Sequence, residues 1–516
     1  MRLLKTKSKA LEFAEFAGDN IPLYAILSHT WGGDEISLQD VQHGVDAAGK
    51  AGKGYEKIIK TLAIAREHGF DYVWIDTCCI DKTSSAELSE AINSMYRWYK
   101  AAGVCYAYLA DVTHSPSSSP EPPPEALEAE LAKSRWFTRG WTLQELIAPD
   151  TVIFHNAAWQ EIGTKRRLRS AVSRITRIPE GVLAGDNIHD QSIAQRMSWA
   201  SERRTTRIED TAYCLMGLFG INMPMLYGEG GMAFIRLQEE IMKSSDDHSI
   251  FTWGMISFAR RTDQADRAAT PRSHPALINR VGGFLAPSPR LFLHCGNIVP
   301  SSGRFGFHPG EITLNNKGIH LNVILKDAGT WTLDSKRVNR AVLPCEVRGL
   351  SGSTVSIYVV SASGESNSEL ARLGTNVPYI RIENLGSEDH ERTGPQRVCF
   401  RRQRPSDTTA RPLWKATEEG NDSVATLLMD HGAEGTQDLL HEALRRGHEA
   451  MVRLMLGRGL TLDDRAYINS MYVAAGNGHK EVVRLLLQHK GVLISADAVL
   501  EAAKGGPAAV FVLLRE

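Results

Sequence analysis

The sequence predicts a multidomain protein: an α/β domain on a doubly wound parallel sheet, a β-rich region, and helical repeats. Three observations carry that prediction. Through the first 160 residues, short apolar runs alternate with helix-spaced stripes, the pattern of βαβ units. Between about 275 and 400 the runs are extended and separated by Gly, Ser, Asn and Asp. Beyond residue 412 an alanine–glycine pair recurs at near-regular intervals. A chain of 516 residues is too long for one core. The expected boundaries are 20–255 for the α/β core with a helical extension, 256–400 for the β-rich domain, 401–411 for a linker and 412–516 for the repeats.

The α/β elements follow in order. Tyr24-Ala25-Ile26-Leu27 reads as a buried strand. Tyr55, Ile58, Ile59, Leu62 and Ala65 fall on one helix face, and Gly69 supplies a stop. Tyr72-Val73-Trp74-Ile75 is the next strand. Ser84 with Glu87 forms a capping-box pattern ahead of Leu88, Ile92, Met95, Tyr96 and Tyr99. Val104 to Leu109 is a third strand, and the Ser/Pro-rich stretch from Ser115 to Pro124 is an exposed loop. A short helix over Trp141 to Ile147 and a strand over Thr151 to Phe154 complete the alternation. Residues 160 to 250 read as a helical cover, with a second capping box at Thr206 and Glu209, a stripe through Ile208, Ala212, Leu215 and Phe219, and a helix over Met232 to Lys243. The β-rich runs are Ile319 to Leu325, Ala341 to Val347 and Thr354 to Val360.

Composition narrows the class. Apolar residues make up 42% and charged residues 23% of the chain, with a formal net charge of −1. That is an ordinary globular balance with no global field toward nucleic acid or an anionic membrane. The seven cysteines are odd in number and thinly spread, so they read as reduced thiols and not a disulfide framework. No CxxC pair occurs, and no metal site is expected. The N-terminus lacks a signal-peptide pattern, and no apolar run approaches the ~20 residues of a membrane span. A soluble, cytoplasmic protein is the expectation.

In the repeats, Ala416, Ala443, Ala474 and Ala502 each precede a glycine by four positions, at intervals of 27, 31 and 28 residues. The fullest copy runs from Ala474-Ala475-Gly476-Asn477-Gly478-His479 to Leu487. This resembles the ankyrin repeat, shortened from its usual ~33 residues, and implies a concave surface for protein partners. The fourth copy lacks a polar capping helix, so the array is expected to be truncated or continued by a partner.

Three blocks concentrate the chemistry: Ser28-His29-Thr30-Trp31-Gly32, Trp74 to Lys82, and Arg139 to Leu146. Each lies where a strand gives way to polar residues or a helix begins, which is where open α/β sheets gather ligand-binding side chains. Ser28, His29, Trp31, Asp76 and Trp141 are candidate ligand-binding residues. The tryptophans read equally as core aromatics, Asp76 as a loop cap, and His29 as a hydrogen-bonded structural residue. Glu145 is the candidate catalytic residue: a carboxylate at a crevice lip can steady a cationic transition state or hold a ribose hydroxyl pair. Its plainer reading is a salt bridge with Arg139 or Arg135. Cys78 or Cys79 with His29 would make a nucleophile–base pair, against the simpler reading of buried small hydrophobes.

Tyr24 to Gly32, Gly54-Tyr55, Trp74 to Lys82, Ser84 to Tyr99, Arg139 to Pro149, Arg196 to Asp210 and Met223 to Gly230 together resemble the fungal heterokaryon-incompatibility (HET) domain. That resemblance implies non-self recognition and programmed cell death in an innate-immune setting, with C-terminal repeats as the sensor and self-association of the HET domain as one mode of action. Trp141-Thr142-Leu143-Gln144-Glu145-Leu146 is also similar, more distantly, to a stretch of Toll/interleukin-1 receptor (TIR) domains. It implies a TIR-like sheet and, as the alternative, an NAD glycohydrolase with Glu145 catalytic and NAD as substrate, no cofactor being needed. Arg139 and Thr142 depart from the TIR pattern, which has Ser and Cys at those places.

Overall fold

The computed structural model describes residues 1–18, 20–44, 52–114, 124–254, 281–282, 284–301, 310–316, 318–333, 336–350, 353–361, 369–373, 381–384, 396–401, 410–430, 435, 437–460, 474 and 479–490. They form two compact units, Met1–Arg402 and Gln403–Glu516.

The first unit opens with a seven-stranded sheet: β1 (Arg2–Lys5), β2 (Phe13–Glu15), β3 (Ala25–His29), β4 (Tyr72–Trp74), β5 (Val104–Tyr108), β6 (Val152–His155) and β7 (Glu161–Thr164), in the order β2-β1-β4-β3-β5-β6-β7. The four central strands are parallel. The edges are not: β1 runs antiparallel to β2 and β4, and β7 antiparallel to β6. The links within each edge hairpin are far shorter than the dozen residues a parallel crossover needs. The sheet is therefore mixed, and the hairpin at residues 2–15 precedes the boundary expected at residue 20.

The winding positions everything that follows. From β3 the chain moves outward to β4, then returns past β3 to β5 and β6. The switch point thus falls between β3 and β5, where ligand crevices form at the carboxyl ends of strands. Right-handed crossovers put α2 (Lys53–Glu67) on one face, and α3 (Ser85–Ala101) and α6 (Thr142–Ile147) on the other. A short α1 (Leu38–Gln42) precedes α2, and α4 (Pro124–Lys133) and α5 (Arg135–Thr138) come between α3 and α6. Tyr99 of α3 donates its hydroxyl to the Leu27 carbonyl at 3.0 Å. Ser84 caps α3 through the Glu87 N–H, but the Glu87 carboxylate turns to Asp81 N and Arg2, so the reciprocal half of the box is absent. On α2 the expected stripe holds at Ile58, Leu62 and Ala65, whereas Ile59 is exposed and Lys57 and Thr61 are buried.

The cover departs from the pattern more sharply. Glu209 does not close a box with Thr206; its carboxylate accepts from the Gly228 and Gly230 N–H groups. The expected stripe breaks into two short helices, Asp210–Tyr213 and Met216–Phe219, and Ile208 is exposed. The helix Met232–Met242 forms as expected.

In the β-rich region the strands Gly318–Leu333, Lys336–Leu343, Ser353–Ser361, Glu369–Leu373 and Gln396–Arg401 pair into a closed ring, because Ser353–Ser361 meets both Lys336–Leu343 and Glu369–Leu373. The expected run Ala341 to Val347 is split at Pro344, which has no N–H for the ladder. One hydrophobic core runs from Leu3 to Phe400 and joins this ring to the α/β sheet. Phe284 stacks on Phe400 and tilts against Phe251.

The second unit has helix pairs Ala410–Glu419 with Asp422–Asp430 and Gln437–Arg446 with Glu449–Gly457, then Lys480–Lys490. These are ankyrin repeats, with Ala416, Ala443 and Ala474 buried. Gly420 and Gly447 end their first helices at φ +70° and +77°. A Cβ at either would meet the histidine of the next repeat, at 2.6 Å for His448 and 2.4 Å for His479. Those histidines bond back to the carbonyls of Glu418 and Arg445. The expected glycine turn at Gly478 and the copy at Ala502 and Gly506 lie outside the described residues.

Candidate functional site

Successive residues on a strand point to opposite faces, so Ser28 and His29, at the carboxyl end of β3, enter different environments. Ser28 faces α6. Its Oγ donates to Glu145 Oε2 at 2.5 Å and accepts from the Trp136 indole at 2.8 Å. Trp136 lies at 1% exposure, edge-on to Phe137 and Phe154. Glu145 keeps 6% exposure. Among the described residues its Oε1 carries no hydrogen bond, and neither Arg139 nor Arg135 forms the expected salt bridge with it; Arg139 bonds Thr206 instead. Burial pushes the Glu145 carboxyl up to about 8, and the nearby Asp76 charge adds to the rise; the Ser28 hydrogen bond and the Arg203 and Arg139 charges offset only part of it.

His29 faces α2. Its Nε2 lies 3.0 Å from Asp76 Oδ1 and its Nδ1 lies 3.1 Å from Lys57 Nζ. Lys57 is also paired with Glu35, whose Oε1 accepts from Gly32 N at 2.6 Å. Asp76 Oδ2 accepts from the Trp31 indole at 2.8 Å. Burial works against the Asp76 charge, yet His29, Lys82 and the Trp31 N–H together hold its carboxyl below the ordinary range.

Helix α6 is clamped at both ends. Arg203 donates to the Arg139 carbonyl and Thr142 Oγ1, both at 2.8 Å, and burial brings its guanidinium down to about 10. Lys165 donates to the Leu146 and Pro149 carbonyls, and burial lowers its ammonium to about 8. A cation at a helix carboxyl end also suits the dipole.

Five of the six expected site residues therefore meet at the end of β3: Ser28 with Glu145, and His29 with Asp76 and Trp31. Trp141 does not join them; it is half-buried and bonds Asp210. Trp136 takes the place beside Ser28, and Lys57, Glu35, Arg203 and Lys165 were not singled out in the sequence. A lysine interrupting a buried helix face is the one signal that could have found Lys57. The cysteine–histidine pairing is not formed. Cys79 Sγ accepts from Ile75 N, and both His29 nitrogens are engaged by Asp76 and Lys57. Its hydrogen bond with Cys79, together with burial, holds the Cys78 thiol well above its usual range, so it stays protonated. A cavity of about 630 Å³ lies elsewhere, between Asn93–Arg97 of α3 and Gly217–Pro224. Among the described residues no group of three or more His, Cys, Asp or Glu side chains is placed to hold a metal ion, and no helix is long and apolar enough to cross a membrane.

Residues 24–123 match the family model described as heterokaryon incompatibility protein (HET). Residues 232–305 match a domain of unknown function (DUF8212), and 413–498 match ankyrin repeats in three copies. The HET match takes in Ser28, His29, Trp31 and Asp76 and ends before Glu145. The chain is 46% identical over 226 residues to the vegetative incompatibility protein HET-E-1 of Podospora anserina. That stretch is 43% of this chain and 16% of the relative, so the chain matches under a fifth of that protein's length.

Proposed function

From a chain that carries a HET domain followed by ankyrin repeats, we propose a cytoplasmic heterokaryon-incompatibility protein of non-self recognition and cell-death signalling. The HET domain is the effector and the repeats bind the protein that is sensed. The observation that carries this reading is the pairing of a HET domain, related to a vegetative incompatibility protein, with a separate compact repeat unit. Self-association of the HET domain is one way the effector acts. Expression of the full chain in a fungal host should arrest or kill cells, and removal of residues 403–516 should abolish the response to the partner. Unchanged death and partner binding after that removal would refute the sensor role.

A second reading has its own observation: Glu145 hydrogen-bonded to Ser28 at the carboxyl end of β3, beside the switch point. Here the HET domain hydrolyses NAD. The C1′–N bond breaks, nicotinamide leaves with the electron pair, and the ribosyl cation is met by ionised Glu145. Water then attacks C1′ and yields its proton to the same carboxylate. A carboxyl at about 8 is mostly neutral at pH 7, so kcat/KM should rise with pH through that value. Purified full chain incubated with NAD should release nicotinamide, and Glu145→Ala should lower the rate at least ~100-fold. No turnover by the full chain, or equal turnover by Glu145→Ala, removes the enzymatic reading and leaves the effector reading standing.

A further inference from the structure

Trp31 is the one residue of the β3 cluster that turns a large apolar surface outward, at 45% exposure. Its ring does not swing free, because the indole N–H is held by Asp76 Oδ2 at 2.8 Å. The carboxylate lies on the N–H side of the ring, so it enriches the indole without covering its face. That face is already in use. Lys82 Nζ stands 3.7 Å from the ring centroid, the geometry of a cation–π contact. Among the described residues Lys82 makes no salt bridge, although the charges of Asp76 and Glu35 both act on it. Aromatic face, tethered N–H and two nearby carboxylates form a place built for positive charge, filled here by a flexible side chain.

We propose that the Trp31 face is a subsite for a flat organic cation of the pyridinium class, and that Lys82 competes with that ligand for it. For the natural ligand the inference rests on the NAD reading, because the nicotinamide ring of NAD is such a cation. The subsite adjoins the carboxylates: Asp76 bonds Trp31 directly, and its charge reaches Glu145. A pyridinium arriving there displaces Lys82 and takes its place beside Asp76, the carboxylate that holds the ring. Departure of the neutral base then returns the face to Lys82, which favours product release.

The test needs no turnover. N-methylnicotinamide is a pyridinium without a ribosyl bond, and nicotinamide is its neutral counterpart; binding of each to the full chain is measured by calorimetry and saturation-transfer NMR. Lys82→Gln should tighten N-methylnicotinamide by about two- to fivefold, the size of an exposed cation–π contact, and change nicotinamide by less than twofold. Trp31→Ala should abolish the preference for the cation, while Trp31→Phe, which keeps a ring, should retain part of it and controls for folding. Equal responses of both ligands to Lys82→Gln, a cation preference that survives Trp31→Ala, or no cation binding at all would overturn the proposal. Cation binding without nicotinamide release would sink the glycohydrolase and spare the subsite. Turnover without cation preference would do the reverse.

Discussion

Ser28 and His29 are neighbours on one strand, yet the two faces they enter solve the problem of a carboxylate drawn away from bulk water in opposite ways. On the His29 face Asp76 has a histidine, an indole N–H and a lysine around it, and its carboxyl is held below the ordinary range. On the Ser28 face Glu145 has a hydroxyl and aromatic walls, and its carboxyl is pushed up to about 8. The covalent group is the same; the difference is which partners the adjoining helix brings. Helix α2 carries Lys57 inward, whereas α5 and α6 bring Trp136, Phe137 and Leu143. A pair of carboxylates separated this way divides labour: one stays ionised and fixes positions, the other can change charge.

The largest effect should come from the wall of the Ser28 face. Trp136→Ala removes a buried ring and the N–H that orients Ser28, and should cost about 3–5 kcal/mol in denaturant unfolding. Trp31→Ala, on the other face, should cost under ~1 kcal/mol because that ring is exposed. Equal losses would mean that the two faces are not different in kind.

Opposite pH dependence comes next. Asp76 has a depressed folded value, so its contribution is present above its ordinary value of 3.8 and is lost as pH falls through the folded value. Asp76→Asn should lower stability by about 1–3 kcal/mol at pH 7 and flatten the acid limb. Glu145 has a raised value, so the unfolded chain releases its proton first and stability falls as pH rises from 4.5 toward about 8. Glu145→Gln should therefore be more stable than the parent by about 1–2 kcal/mol near pH 8 and close to it below pH 4.5. Thermal melts across pH 3–9 read both slopes. A Glu145→Gln variant that lost stability uniformly would show that the carboxyl has the same midpoint folded and unfolded.

Much of this arrangement was legible in the sequence because strand ends and capping residues are local. Tyr24 to Leu27, Tyr72 to Ile75 and Val104 to Leu109 overlap β3, β4 and β5, each overrunning its strand by one residue, and five of the six residues singled out meet at one strand end. What escaped depends on tertiary partners. Trp141 has the sequence spacing to Glu145, yet a six-residue helix starting at Thr142 leaves it outside the helix, bonded to Asp210. Trp136, one short helix earlier, fills the wall instead. Lys57 looked like the polar side of an amphipathic helix, because nothing local reveals that Glu35 and His29 await it. The Thr206–Glu209 pattern failed for the same reason: Glu209 found two backbone donors at Gly228 and Gly230, about twenty residues on. In the repeats the reverse holds, since Gly447 and His479 sit in a fixed pattern and their contact follows from the repeat itself.

The smallest expected effect is the most specific. Ser28→Ala deletes one hydroxyl that accepts from Trp136 and donates to Glu145. The loss in stability should be about 1 kcal/mol at pH 7, because the indole and the carboxyl each lose a partner in a closed space. The sharper readout is the titration. The Ser28 hydrogen bond favours the ionised form of Glu145 and opposes the burial that raises it, so removing it should move the Glu145 midpoint to higher pH. In 13C NMR of labelled glutamate and aspartate carboxyls the Glu145 resonance should titrate later than in the parent, while the Asp76 resonance should keep its midpoint. If both midpoints moved together, the two faces would be one electrostatic site and not two. If Glu145 moved down, burial would not be what governs it, and the contrast drawn between the faces would fail at its root.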